Sequence, residues 1–456
     1  MKTWTMASAG LLWIAMGLAV GPGTSRAAQP QDQQAAKPQY TLPEYNAYKA
    51  ADGEQNPQQK IKMLDDFMKQ YPNSALLPFI YRNYYLTDYA LKNFSGTVEY
   101  ADRMIALGEK VDTQGRLEAS VARAQAFYVG SGADKALQTP DAQTKARDAA
   151  LQGLKTLDDW KKPDPMAADQ YEQQKKGFTV MFNSIAAMTS NTLKDYPAAA
   201  KYYKVVLAAD ATDAVSHFRL GVVDLQMNPP QANEGFWELA RSIGLKSPNG
   251  PNEQQVKTYL RNQLLRYQQT SCDKLVDDQM NELLTLAASS AERPATLNVP
   301  GAADLEKARN DVGNFIPSLK GGGDAGKTMW LATCGLEFPD VGVRAMEDPN
   351  VQGDTITMKV FRPAAQDADA AAKELQAATE ANMEVKIPGQ PEAGRIKKDD
   401  QFRFTGTLVG YAQNPFMLTW DKAKVNAEDL PAAEEKAAPA KKGPPKKAPA
   451  KKAPGD

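Results

Sequence analysis

The chain has 456 residues, 42% hydrophobic and 24% charged, with 54 Lys+Arg against 55 Asp+Glu; this is globular composition, and the length suits about two or three domains. The charge balance hides an asymmetry, because Lys436–Asp456 carries seven lysines and one aspartate, net +6, which leaves −7 on the rest of a chain totalling −1. One histidine, His217, and two cysteines, Cys272 and Cys334, are too few for the Cys/His ligand sets of structural or catalytic zinc, so no metal or other cofactor is expected.

The first elements read as an address. Lys2 precedes the apolar run Ala9–Val20, Gly21-Pro22-Gly23 closes it, and Ser25-Arg26-Ala27 sets small residues at −3 and −1 of a cleavage point. That is the pattern of a secretory signal peptide over residues 1–27. An uncleaved anchor is the alternative, but a span needs about 20 apolar residues and this run is shorter. The expectation is an exported protein of the periplasm or cell envelope, with no transmembrane span after cleavage. Residues 28–40 are polar, contain Pro30 and Pro38, and read as a flexible leader.

Residues 41–291 are expected to be helical throughout, with apolar residues at spacings of three and four and short Pro/Gly/Asp/Asn breaks. Internal repetition has a period of 34. In the consecutive windows 180–213 and 214–247, Lys194-Asp195-Tyr196 forms an inter-helix turn, and Ala199 and Tyr203 hold positions 20 and 24. Leu220 and Gly221 hold positions 7 and 8, Trp237 position 24, and Ala240 position 27. Small residues at 8, 20 and 27 let two helices approach, and large apolar residues at 7 and 24 fill the layer between them. This pattern resembles the tetratricopeptide repeat. A looser copy covers 44–111, with Asn93-Phe94 at its turn, and 112–179 is looser still; another type of αα-solenoid is the alternative.

The resemblance implies a concave groove lined by the first helix of each repeat. Its residues here are Phe79, Arg82, Asn83, Leu86 and Tyr89 in one repeat and Phe218, Arg219, Val222, Leu225 and Gln226 in another. Phe218 and Val222 stand where a full carboxylate clamp would place polar groups, so the implied groove is mixed apolar and basic. Packing against the next helix is the alternative role for each of these side chains.

Residues 292–328 are expected to be a linker with a glycine-rich turn. Beyond them, over 329–430, ITMKVF, NMEVKI, QFRFTGTLVGY and PFMLTW alternate in the manner of short strands. About five such strands predict a small β-barrel or sandwich. The stretch Phe402–Val425 resembles the terminal strands of an OB-like barrel, and Gln366–Thr379 reads as an inserted helix. Residues 431–456 are Lys/Ala/Pro low complexity and are expected to be disordered. Cys272 and Cys334, 62 positions apart, either form a disulfide, as an oxidising compartment permits, or remain two separate thiols. A bridge is expected to staple the last helix of the array to the β module.

Candidate chemistry is sparse. Gly321–Thr328 (GGGDAGKT) matches the phosphate-binding pattern GxxxxGKT, but it lacks the preceding buried strand and the long following helix; a glycine turn is the simpler reading. His217 falls on an inward repeat position, Gly130-Ser131-Gly132 reads as a turn, and Asp65-Asp66 and Asp277-Asp278 lie on solvated helix faces. The expected function is therefore a non-enzymatic scaffold that binds protein or peptide segments in the envelope. The alternatives are a nucleotide-binding enzyme using Lys327, or a binder of anionic polymer through the lysine tail. That tail has no interleaved aromatics for base stacking, so sequence-specific nucleic acid is not an expected partner.

Overall fold

The computed structural model describes residues 39–432. The segment 1–27 expected as a signal peptide, most of the expected leader and nearly all of the lysine-rich tail lie outside the described residues. The chain is mainly α, with two compact units. Among the described residues, the first comprises 39–266 together with Val276–Val299; the second comprises Tyr267–Leu275 and 300–432.

The first unit is a run of helix pairs: α1 (Leu42–Gly53) with α2 (Pro57–Gln70), α3 (Leu77–Ala90) with α4 (Phe94–Ala106), and α5 (Thr113–Gly130) with α6 (Pro140–Asp158). There follow α7 (Ala168–Thr192) with α8 (Tyr196–Ala209) and α9 (Ala214–Gln226) with α10 (Ala232–Gly244), then α11 (Glu253–Gln268) and α12 (Asp273–Ser289), whose adjoining ends fall in the stretch Tyr267–Leu275 of the second unit. Side-chain caps start many of them. Thr41, Asn56, Asn93, Asp112, Thr139, Asp195 and Asp213 each accept a hydrogen bond from a backbone N–H of the first turn, satisfying donors the helix itself cannot.

Two of the inter-helix turns share one construction. Lys92 and Lys194 adopt left-handed φ of 59° and 62°. The next residue, Asn93 or Asp195, donates its N–H to the carbonyl of Asp88 or Ser190 at 2.8 Å in both cases. These caps lie 102 positions apart, three times 34. The repeat positions read from sequence are interior: Ala199, Tyr203, Leu220, Trp237 and Ala240 are all buried. The repeat is not uniform, however. α7 starts at Ala168, twelve residues before the 180–213 window, and Trp160 and Tyr171 anchor that extension, with Tyr171 Oη donating to the Trp160 carbonyl at 2.7 Å.

The second unit opens with α13 (Ala302–Asn310), α14 (Phe315–Gly321) and α15 (Gly323–Thr333). The stretch expected as a linker is thus largely helical. Pro317 is accommodated because it sits in the first turn of α14, where its missing N–H leaves no intrahelical bond unmade. The glycines act at one point only: Gly322 and Gly323, at φ of 68° and 59°, separate α14 from α15.

Six strands follow: β1 (Glu337–Ala345), β2 (Asn350–Gln352), β3 (Thr355–Phe361), β4 (Met383–Pro388), β5 (Gln401–Gln413) and β6 (Phe416–Val425), with α16 (Ala368–Ala377) between β3 and β4. They form one mixed sheet in the order β1-β5-β6-β4-β3-β2, and an extra pairing of β1 with β3 closes five of the strands into a ring. Only β4 and β6 run parallel. Inward residues alternate along the strands, as in Ile356, Met358 and Val360, and the interior centres on Trp420, whose ring meets Phe338 and Phe404 edge-on at 5.4 and 5.5 Å. Ile316, Leu319 and Met329 from the preceding helices complete this core.

Cys272 and Cys334 form a disulfide, with Cα atoms 5.7 Å apart. Both belong to the second unit, because Tyr267–Leu275 packs with it. The bridge therefore joins two stretches of one unit and is not the expected staple between an array and a β module. Thr270 supports the same junction, its hydroxyl donating to the Leu331 carbonyl at 2.7 Å.

Candidate peptide-binding face

α1, α3 and α5 adjoin one another in the first unit, and the ten expected groove residues divide into two groups, one on α3 and one on α9. On α3, Phe79 and Leu86 are seven residues apart, so they share a helix face. They are 51% and 49% exposed, unusual for large apolar side chains on a well-packed helix. Polar neighbours tie α3 to the adjoining first helices. Asn83 Nδ2 donates to Asp52 Oδ1 on α1 at 3.1 Å, and Arg82 Nε lies 3.5 Å from Glu118 Oε2 on α5. Tyr89 turns away to pack edge-on against Phe94 of α4 at 5.7 Å.

α1 and the bend before it add three aromatic residues not expected in the groove. Tyr40 stacks on Tyr45 at 5.8 Å, Tyr45 neighbours Tyr48 at 6.4 Å, and Tyr48 meets Phe79 at 5.8 Å. With Leu42 71% and Tyr45 38% exposed, the result is a ladder of rings continuing onto Phe79. The i, i+3 spacing of Tyr45 and Tyr48 within the looser repeat copy over 44–111 was the available signal.

The α9 group is engaged within the unit. Phe218 packs on Tyr259 of α11 at 6.1 Å, and Leu225 covers Gly235 of α10. Gln226 accepts a hydrogen bond from Tyr196 Oη at 3.2 Å, and Val222 is half-buried. Arg219 lies beside the phenols of Tyr203 and Tyr128, and burial pushes the Tyr203 hydroxyl up to about 12.

The other chemical candidates fall into structural surroundings. Gly326, Lys327 and Thr328 of the GxxxxGKT match lie inside α15, and the Gly326 N–H already donates to the Gly322 carbonyl at 3.0 Å. The Gln413 side chain lies directly against Gly322. His217 is buried between Glu238, which it contacts through Nδ1, and the Ala211 carbonyl, 3.1 Å from Nε2. Among the described residues, no group of three His, Cys, Asp or Glu side chains could hold a metal ion. No helix among them is long and apolar enough to cross a membrane.

No protein-family model matches the chain, and no curated protein matches it significantly.

Proposed function

We propose that the protein is an exported, non-enzymatic scaffold of the cell envelope that binds protein segments on the face built by α1 and α3. The observation that carries this reading is the exposed apolar pair Phe79 and Leu86, continued by the tyrosine ladder of α1. Large apolar side chains gathered at one place on a soluble surface mark interaction sites, and aromatic residues dominate binding hot spots. The 34-residue pattern and its resemblance to tetratricopeptide repeats support a helical peptide-binding array. Export is supported by the signal-like segment 1–27 and by the disulfide, which persists in oxidising compartments.

The second unit is an accessory β module. Its closed ring, in which the strands neighbour one another as β1-β5-β6-β4-β3 with β4 and β6 parallel, supports the OB-like resemblance. The lysine-rich tail is a second contact, for anionic polymer. In a pull-down from envelope extract, the full chain should retain a partner that the Phe79→Ala/Leu86→Ala variant loses. Equal retention by both proteins would overturn this placement of the binding face.

A further inference from the structure

Asp224 lies between α9 and α10 and is 1% exposed. Neither of its carboxylate oxygens has a hydrogen-bond partner, and no ion pair reaches it among the described residues. The charged groups around it are Lys204 of α8 and Glu234 and Glu238 of α10. Glu238 is taken up by His217 and Glu234 by Arg293, at 3.1 Å. An ionised carboxylate held there without a partner is strongly disfavoured by the loss of its hydration.

The exposed turn from Asn228 to Gln231 follows α9, and the Gln231 N–H donates to the Asp224 carbonyl at 2.9 Å. The carboxylate can reach water only if this turn lifts or the two helices part. We infer that Asp224 makes the α9–α10 pair a pH-dependent latch, closed while its carboxyl is protonated and loosened when it ionises. Burial raises its pKa to about 7, so the latch works around neutral pH. Opening would release the end of α9, where Leu225 covers Gly235 and Gln226 receives Tyr196.

Hydrogen exchange of the full chain at pH 6 and pH 8, corrected for intrinsic rates, tests this. If an opened Asp224 titrates near 4 and a closed one near 7, the α9–α10 amides should open about tenfold more often at pH 8. In Asp224→Asn that difference should vanish. Unchanged protection in the wild type would overturn the proposal, as would the same pH dependence in the variant, since His217 and Glu238 would then be its source. A readout that needs no variant is the carboxyl carbon shift of Asp224: a midpoint near 7 supports the latch and one near 4 overturns it.

Discussion

Gly221 of α9 and Gly235 of α10 meet backbone to backbone: a Cβ on Gly221 would lie 2.8 Å from the Gly235 carbonyl oxygen, and one on Gly235 3.1 Å from that of Gly221. The Leu239 backbone nitrogen closes the first site further, also at 2.8 Å. Alanine in a helix interior gains up to about 1 kcal/mol over glycine in propensity, but here the methyl meets backbone that cannot rotate away. Gly221→Ala should destabilise the helical unit by roughly 1–3 kcal/mol. A denaturant midpoint equal to or above the wild type's would contradict the packing.

Phe79 and Leu86 should behave in the opposite way. Because about half of each side chain is already in water, truncation to alanine removes little buried surface. The double variant should keep the wild-type unfolding midpoint to within about 1 kcal/mol, since surface changes are usually small. A much larger loss would mean that these residues hold the fold and are not held out for a partner.

The Cys272–Cys334 bridge closes a loop of 62 positions in sequence. In the chain-entropy model this constrains the unfolded chain by about 4 kcal/mol. Replacing both cysteines by serine, or adding reductant, should lower the unfolding temperature of the sheet-bearing unit. Insensitivity of that transition to reductant would show that the bridge contributes nothing.

Arg403 on β5 holds Asp429, just after β6, through Nε at 3.0 Å and Nη2 at 3.2 Å. The Arg403 side chain and backbone N–H together hold the Asp429 carboxyl below the usual carboxylate range. Its stabilising contribution is therefore present above the unfolded aspartate pKa, about 3.9, and is lost as pH falls through the lowered folded value. Asp429→Asn should flatten the acid limb of stability against pH and leave the neutral-to-alkaline limb unchanged. A carboxyl titration of Asp429 at or above 3.9 would remove the basis for this expectation.

Helical regions and most strands were legible because their signals are local. β3, β4 and β5 cover ITMKVF, NMEVKI and QFRFTGTLVGY almost residue for residue, β6 starts within PFMLTW and runs on to Val425, and α16 falls within 366–379. β1 was not legible. Pro339 and Asp340 interrupt its alternation, Asp340 adopts φ of 51°, and the pairing with β5 shifts register between Phe338 and Val341. α14 and α15 were masked by the glycines around 321–326, which separate two helices where composition suggested a loop. At the candidate site, sequence spacing placed Phe79 and Leu86 on one face, but exposure depends on what the neighbouring helices leave uncovered. Leu225 and Phe218, alike in pattern, have neighbours within the unit in Gly235 and Tyr259, while the tyrosines at and before α1 went unassigned.

The path of the chain constrains how the protein can be divided. It leaves the first unit after Arg266, returns at Val276 and departs again after Val299, so no single cut yields two intact halves. A fragment ending near residue 291 would keep Cys272 without Cys334 and so expose a lone thiol, open to cross-linking between molecules. Genetic shuffling of the two units as cassettes meets the same obstacle, because the excursion Tyr267–Leu275 must travel with a partner encoded some sixty codons downstream.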